Sequence, residues 1–260
     1  MSKLIYVHYA SFHADEVSAI ALLKVFKPDD YEVKRVDHQT IEFPDADYVI
    51  DTGRIYDNKT RFDHHQWEGG LSSAGLIWKH LNVQDDYPEI SKLVKAIDDN
   101  DVGVKPAAAF EYSRLISMFN QADTYGDSQR QAFDKALDFA VNIFTNMRDR
   151  QTAYTASGTV CANAPFWPGT TDVLNLGTYQ PGWSDYVNGV TRPDIEAVTW
   201  FDTHLGTWNI QTTNVSPSSY EKVGKTLLPY DKMDFVHANN FFAVASTEEL
   251  MADYIKNFRG

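Results

Sequence analysis

A chain of 260 residues, 43% hydrophobic and 23% charged, has the composition of an ordinary folded protein and the length for one large or two modest domains. Collagen-like, coiled-coil and wholly disordered architectures are excluded. A net charge of -13 argues against a long duplex nucleic acid as partner, since that affinity comes from Lys and Arg neutralising phosphates; a short or small anionic substrate fits better.

Leu4-Ile5-Tyr6-Val7 is a short apolar run that predicts a strand, and Asp15 to Phe26 carries Val17, Ile20, Ala21 and Leu23 at helical spacing. Tyr31 to Val36 alternates as a strand; Ala46 to Ile50 is another apolar run, ended by Asp51 with Gly53 in the turn. Ser72 and Ser73 open a helix, and Ile90 to Ile97 reads as one more. Strands alternating with helices predict an α/β fold with a doubly wound parallel sheet. From Gln131 to Met147 the residues Phe133, Leu137, Ala140, Val141 and Phe144 share one helical face, suited to linking two domains.

The Gly, Pro, Thr and Asn-rich stretch from Ser157 to Thr171 marks the expected boundary, with a catalytic domain at 1–160 and a smaller α+β domain at 161–260. Composition shifts there too: six of eight histidines lie in the first 80 residues, and four of six tryptophans follow Cys161. Ile195 to Phe201 and Thr207 to Val215 read as strands of a hairpin turning at His204-Leu205-Gly206, and Phe241 to Ala245 as another strand. Ser246 with Glu249 forms a capping box for a final helix carrying Leu250, Tyr254, Ile255 and Phe258.

The single cysteine, Cys161, excludes a disulfide framework and reads as a buried structural thiol. With no apolar leader and no run of membrane-spanning length, the expectation is a cytoplasmic protein without a membrane partner. His38, His80 and His204 have no motif around them and read as structural or solvent-facing, Lys34 and Arg35 as exposed, and Trp200 and Trp208 as core.

His8 follows the first strand directly, with His13 and Asp15 in the turn before the helix, and Asp51 ends a second strand in the same way. In an open α/β sheet the carboxyl ends of the strands face the ligand crevice, so these groups converge if the strands are parallel neighbours. Asp63-His64-His65 and Asp98, followed by Asp99 and Asp101, supply further donors. Imidazole and carboxylate together suit manganese, zinc or iron. The seven groups His8, His13, Asp15, Asp51, His64, His65 and Asp98 exceed one tetrahedral site, so two ions, an arrangement used for phosphoester hydrolysis, are the economical reading.

The segments His8-Tyr-Ala-Ser-Phe-His13-Ala-Asp15-Glu16, Val49-Ile-Asp51-Thr-Gly53, Arg61-Phe-Asp63-His64-His65-Gln66 and Ser72-Ser-Ala-Gly75-Leu76 resemble the melanocyte-proliferating-gene exonuclease family. That family lies in the Asp-His-His (DHH) phosphoesterase superfamily, with RecJ-like exonucleases, oligoribonucleases and manganese pyrophosphatases. The resemblance returns in Trp208-Asn-Ile-Gln-Thr, Leu228-Pro229 and Phe235-Val-His237-Ala238. It implies that His8, His13 and Asp51 hold one manganese ion and that Asp15, Asp51, His64 and Asp98 hold the other, with Asp101 the substitute for Asp98; magnesium, zinc and iron remain compatible. It further implies that His65 meets the scissile phosphate or the leaving oxygen, that Asp63 orients His64, and that Lys225, His237, Asn239 and Asn240 face substrate from the second domain. Short single-stranded RNA or DNA is the expected substrate. Pyrophosphate, cyclic dinucleotides and nucleotides are the alternatives within the same chemistry, and a catalytically idle metal- or nucleotide-binding regulator is the alternative outside it. A homo-oligomer is compatible with any of these.

Overall fold

The computed structural model describes residues 2–187, 194–213, 227 and 231–257. The chain forms two compact units, Met1–Asp149 and Arg150–Gly260. In the first, β1 (Lys3–His8), α1 (Ala14–Phe26), β2 (Tyr31–Val36), β3 (Tyr48–Ile50) and β4 (Arg61–Phe62) are followed by α2 (Ser73–Leu81), α3 (Pro88–Asp101) and α4 (Tyr112–Ser117); α5 (Asp127–Asn163) begins in the first unit and ends in the second. The four strands lie in the order β2-β1-β3-β4, each neighbouring pair parallel. The expected α/β class and parallel sheet are therefore observed.

Register assigns the faces. Val7 pairs with both Arg35 and Ile50, and Ile5 with Val33 and Tyr48, so all of these point to one side. That side carries the core: Ile5, Val7 and Ile50 pack with Val17 and Ile20 of α1, Ile77 of α2 and Phe133 and Phe144 of α5. Every residue of α1 from Ala14 to Leu23 is buried, as its near-continuous apolar sequence demands. On the opposite face Tyr6 meets Phe43 edge-on at 5.2 Å, and the Arg61 guanidinium lies 5.0 Å over the same ring.

Arg35, expected in solvent, is instead half-buried. Its guanidinium donates to the carbonyls of His8 and Ala10 and lies 4.5 Å over the Phe133 ring, so the long stem and planar head are both used in packing.

In the second unit β5 (Val173–Thr178), α6 (Trp183–Val187), β6 (Ala197–Asp202), β7 (Thr207–Thr212), β8 (Phe235–Val236), β9 (Phe242–Ala245) and α7 (Glu248–Asn257) build a sheet of order β5-β6-β7-β9-β8. Among the described strands of this sheet, only β5 and β6 pair in parallel. One face packs Ile210, Ala197 and Ala245 on Met251 and Tyr254 of α7. The other packs Leu174, Val198 and Trp200 on Cys161 and Trp183, which places Cys161 in the core as expected. The hairpin at His204-Leu205-Gly206 forms as read: Asp202 accepts from the His204 and Leu205 amides and Gly206 sits at φ +67.

Two local readings change. The α5 helix does not stop near Met147 but runs unbroken to Asn163, because Gly158 does not break it: a Cβ there would lie 2.5 Å from the Tyr186 ring, whose hydroxyl donates to the Tyr154 carbonyl. The final helix is capped by Thr247, whose hydroxyl accepts from the Leu250 amide, rather than by Ser246, whose amide is held by the Asp234 carboxylate. Phe258 and the end of the second hairpin strand beyond Thr213 lie outside the described residues.

Candidate metal centre

From β1 the chain passes through α1 to β2 on one side and returns to β3 on the other, so the loops leaving β1 and β3 diverge. A crevice at their carboxyl ends is the consequence. His8 is the last residue of β1, Asp51 follows β3, and Asp15 and Glu16 occupy the first turn of α1. His64 and His65 follow β4, and Asp101 ends α3. Asp51 takes a left-handed backbone at φ 53, a conformation that Asp tolerates better than bulky or β-branched residues and that often accompanies functional sites.

Asp51 is the hub. Its Oδ2 lies 3.2 Å from His8 Nε2, and its Oδ1 lies 3.3 Å from His64 Nε2 and 3.5 Å from His65 Nδ1. Ser73 donates to the same Oδ1 at 3.1 Å. His8 Nε2 also meets Glu16 at 3.2 Å, and His64 Nε2 meets Asp101 at 3.1 Å and Asp15 at 3.8 Å. Donor atoms lie within 4.8 Å of one another in three overlapping sets: His8, His13, Glu16 and Asp51; Asp51, His64 and His65; His13, Asp15 and Asp101.

The electrostatics of this cluster are set by carboxylates and imidazoles buried against one another. Among the described residues, neither carboxylate oxygen of the buried Asp15 has a hydrogen-bond partner. Burial, reinforced by the Asp51, Glu16 and Asp101 carboxylates, raises the Asp15 pKa well above the ordinary range. Burial opposes a charge on His8 and His64, but hydrogen bonds to Asp51 and Glu16 lift His8 to about 11, and those to Asp101 and Asp51 lift His64 to about 10. A buried carboxylate with no donor is costly. A divalent ion would satisfy it, and the mixed nitrogen and oxygen set fits a transition ion.

Three expectations from the sequence meet a different geometry. Asp98, first choice as the last ligand, is buried against the N-terminus of α2: its Oδ1 accepts from the Ser72 amide, the Ser72 hydroxyl and the Gly75 amide. Asp101, one helical turn on, is the carboxylate that reaches His64. Among the described residues the Asp63 carboxylate is hydrogen-bonded to His65 and not to the His64 ring: its Oδ1 lies 2.8 Å from His65 Nδ1 and its Oδ2 accepts from the Arg54 amide. Glu16, absent from the candidate ligands, is fully buried between His8 and the His13 amide. Its signal was its place in the first helical turn beside Asp15, where an acidic side chain reads equally well as a cap.

His237, Asn239 and Asn240 come together in the turn between β8 and β9: the Asn239 amide donates to His237 Nδ1 and the Asn240 amide to the His237 carbonyl. Lys225 lies outside the described residues.

Residues 4–84 match the family model MYG1_exonuc, described as an uncharacterised protein family (UPF0160). The MYG1 protein of Chlamydia trachomatis is 33% identical over 155 residues, covering 55% of this chain and 53% of the relative, so the match spans about half the length of that protein. Human MYG1 exonuclease is 24% identical over 267 residues, covering 82% and 70%. Among solved structures, the pGpG-specific phosphodiesterase PggH of Vibrio cholerae aligns over 98% of this chain and 96% of its own at a TM-score of 0.37 and 12% identity. The resemblance to the melanocyte-proliferating-gene family read from the histidine and aspartate segments is borne out by the family-model match and the MYG1 relatives.

Proposed function

Starting from a chain whose residues 4–84 carry the MYG1-family segment, we propose a metal-dependent phosphoesterase that hydrolyses short single-stranded oligonucleotides, with manganese as its ion. The observation that supports this reading most is Asp51, one carboxylate within 3.5 Å of three imidazoles at the crevice of a parallel sheet. His8, His13, Glu16 and Asp51 would hold one ion and Asp15, Asp51, His64 and Asp101 the other, Asp51 being common to both. When bound, such a pair supplies Lewis-acid stabilisation of phosphoryl oxygens and a water nucleophile at neutral pH.

The protein's own groups do the rest. Asp63, fixed by the Arg54 amide, holds His65 through Nδ1, which leaves Nε2 for the substrate. The hydrogen bond to Asp63 raises the His65 pKa, which favours a proton on its ring for the leaving oxygen. His65 is half-exposed, as a group meeting substrate must be. The net charge of -13 repels each added phosphate of a longer strand, which favours short ones.

The test is hydrolysis of end-labelled short and long RNAs and DNAs with manganese. Short strands are cleaved; Asp51→Asn abolishes turnover, and His65→Ala lowers kcat about 100-fold with metal affinity retained. Preference for pyrophosphate or nucleotides would reassign the substrate. Metal uptake without turnover of any phosphoester would replace the enzyme with a regulatory protein.

A further inference from the structure

Beside the metal-ligand cleft, and within the same unit, lies a cavity of about 780 Å³ between the end of β2 and the start of α5. Tyr9, Thr124 and Tyr125 line both it and the cleft that contains His8, Asp51 and His65. Tyr125 is 71% exposed, with Tyr9 edge-on to its ring at 5.3 Å and 78° and its backbone amide donating to Asp123. Tyr9 is anchored in turn through its hydroxyl to Asp37. On the cavity side stand Arg130, largely exposed, and Arg35, which is pinned to the His8 and Ala10 carbonyls. An exposed aromatic ring beside guanidinium groups is the equipment with which single-strand binders hold a base and its phosphate.

We propose that the wall formed by Tyr9 and Tyr125 is a nucleotide subsite: Tyr125 stacks the base next to the scissile phosphate, and Arg130 meets the phosphate beyond it. The proposal rests on the phosphoesterase reading above and adds a reason why an oligonucleotide would be preferred to pyrophosphate. Stacking acts equally on ground and transition states, so it should show in KM and not in kcat.

The experiment compares a 5′-phosphorylated adenine dinucleotide with the same compound lacking the base on the sugar next to the cleaved bond, using the full chain with manganese. In Tyr125→Ala, KM for the dinucleotide rises about tenfold with kcat within about twofold, while KM for the abasic compound is unchanged. Tyr125→Trp restores KM. Arg130→Gln raises KM for a trinucleotide more than for the dinucleotide. An unchanged KM in Tyr125→Ala, or an equal rise for the abasic compound, overturns the subsite and leaves the phosphoesterase reading standing. A wild-type chain that cleaves neither compound overturns the subsite together with the oligonucleotide substrate.

Discussion

At the scale of single residues, the two carboxylates at the end of α3 divide the work. Asp98 accepts three hydrogen bonds from the start of α2, and removing them strands buried donors. Asp98→Ala should therefore lower the stability of the metal-free protein by about 1–3 kcal/mol, seen in urea unfolding. Asp101→Asn should leave that stability nearly intact and weaken manganese binding, seen by calorimetry. The reverse pattern would return the ligand role to Asp98.

The raised histidines carry a pH prediction. His8 and His64 titrate at about 11 and about 10 in the metal-free fold, above the ordinary value of about 6.5. Their protonated forms thus support the metal-free fold fully below about 6.5, and that support fades as pH rises through 10 to 11. An ion needs neutral imidazoles, so binding must expel these protons. Manganese titrations at pH 7 in buffers of different ionisation enthalpy should show proton release, and apparent affinity should rise with pH; no buffer dependence would contradict the protonated pairs.

At the scale of elements, glycines decide how closely helices approach. A Cβ on Gly75 would lie 2.4 Å from the Asp98 carboxylate, so Gly75→Ala must displace that carboxylate from its hydrogen bonds or push α2 from α3. Thermal unfolding should reveal a loss of about 1–3 kcal/mol despite the higher helix propensity of alanine. The same contest explains what was legible in the chain. The helices α1, α2 and α3 and the strands β1 and β3 announced themselves through apolar runs and caps. The two-residue β4 has too little sequence to signal anything; its pairing with β3 is supplied by the sheet. The full length of α5 was hidden because Gly158 looks like a breaker until the Tyr186 ring is in place.

At the scale of the whole molecule, all the candidate ligands belong to Met1–Asp149. An ion bound there stabilises by about 2.7 kcal/mol at a hundredfold excess over its Kd, and should do so where it binds. Hydrogen exchange with manganese, compared with chelator, should slow at amides of α1 and β3 while β6 and β7 keep their rates. Uniform protection across both sheets would mean that ion binding is not local. Among the described residues no helix is long and apolar enough to cross a membrane. Legibility at this scale was uneven too. The family order of histidines and aspartates identified the crevice, but which carboxylate of α3 turns inward depends on helical phase, and the partner of Asp63 depends on a loop conformation that no residue pattern encodes.

The left-handed backbone at Asp51 bears on how an inert form of the protein should be made. Asparagine and glycine are at home in that region of torsion space, whereas valine or isoleucine would be forced into collision with their own main chain. An amide in place of the acid would weaken the one carboxylate proposed to serve both ion sites without disturbing the turn, and so would make a trap for uncut substrate if the proposed chemistry holds. A branched aliphatic at the same spot would yield misfolded chain and teach nothing about chemistry.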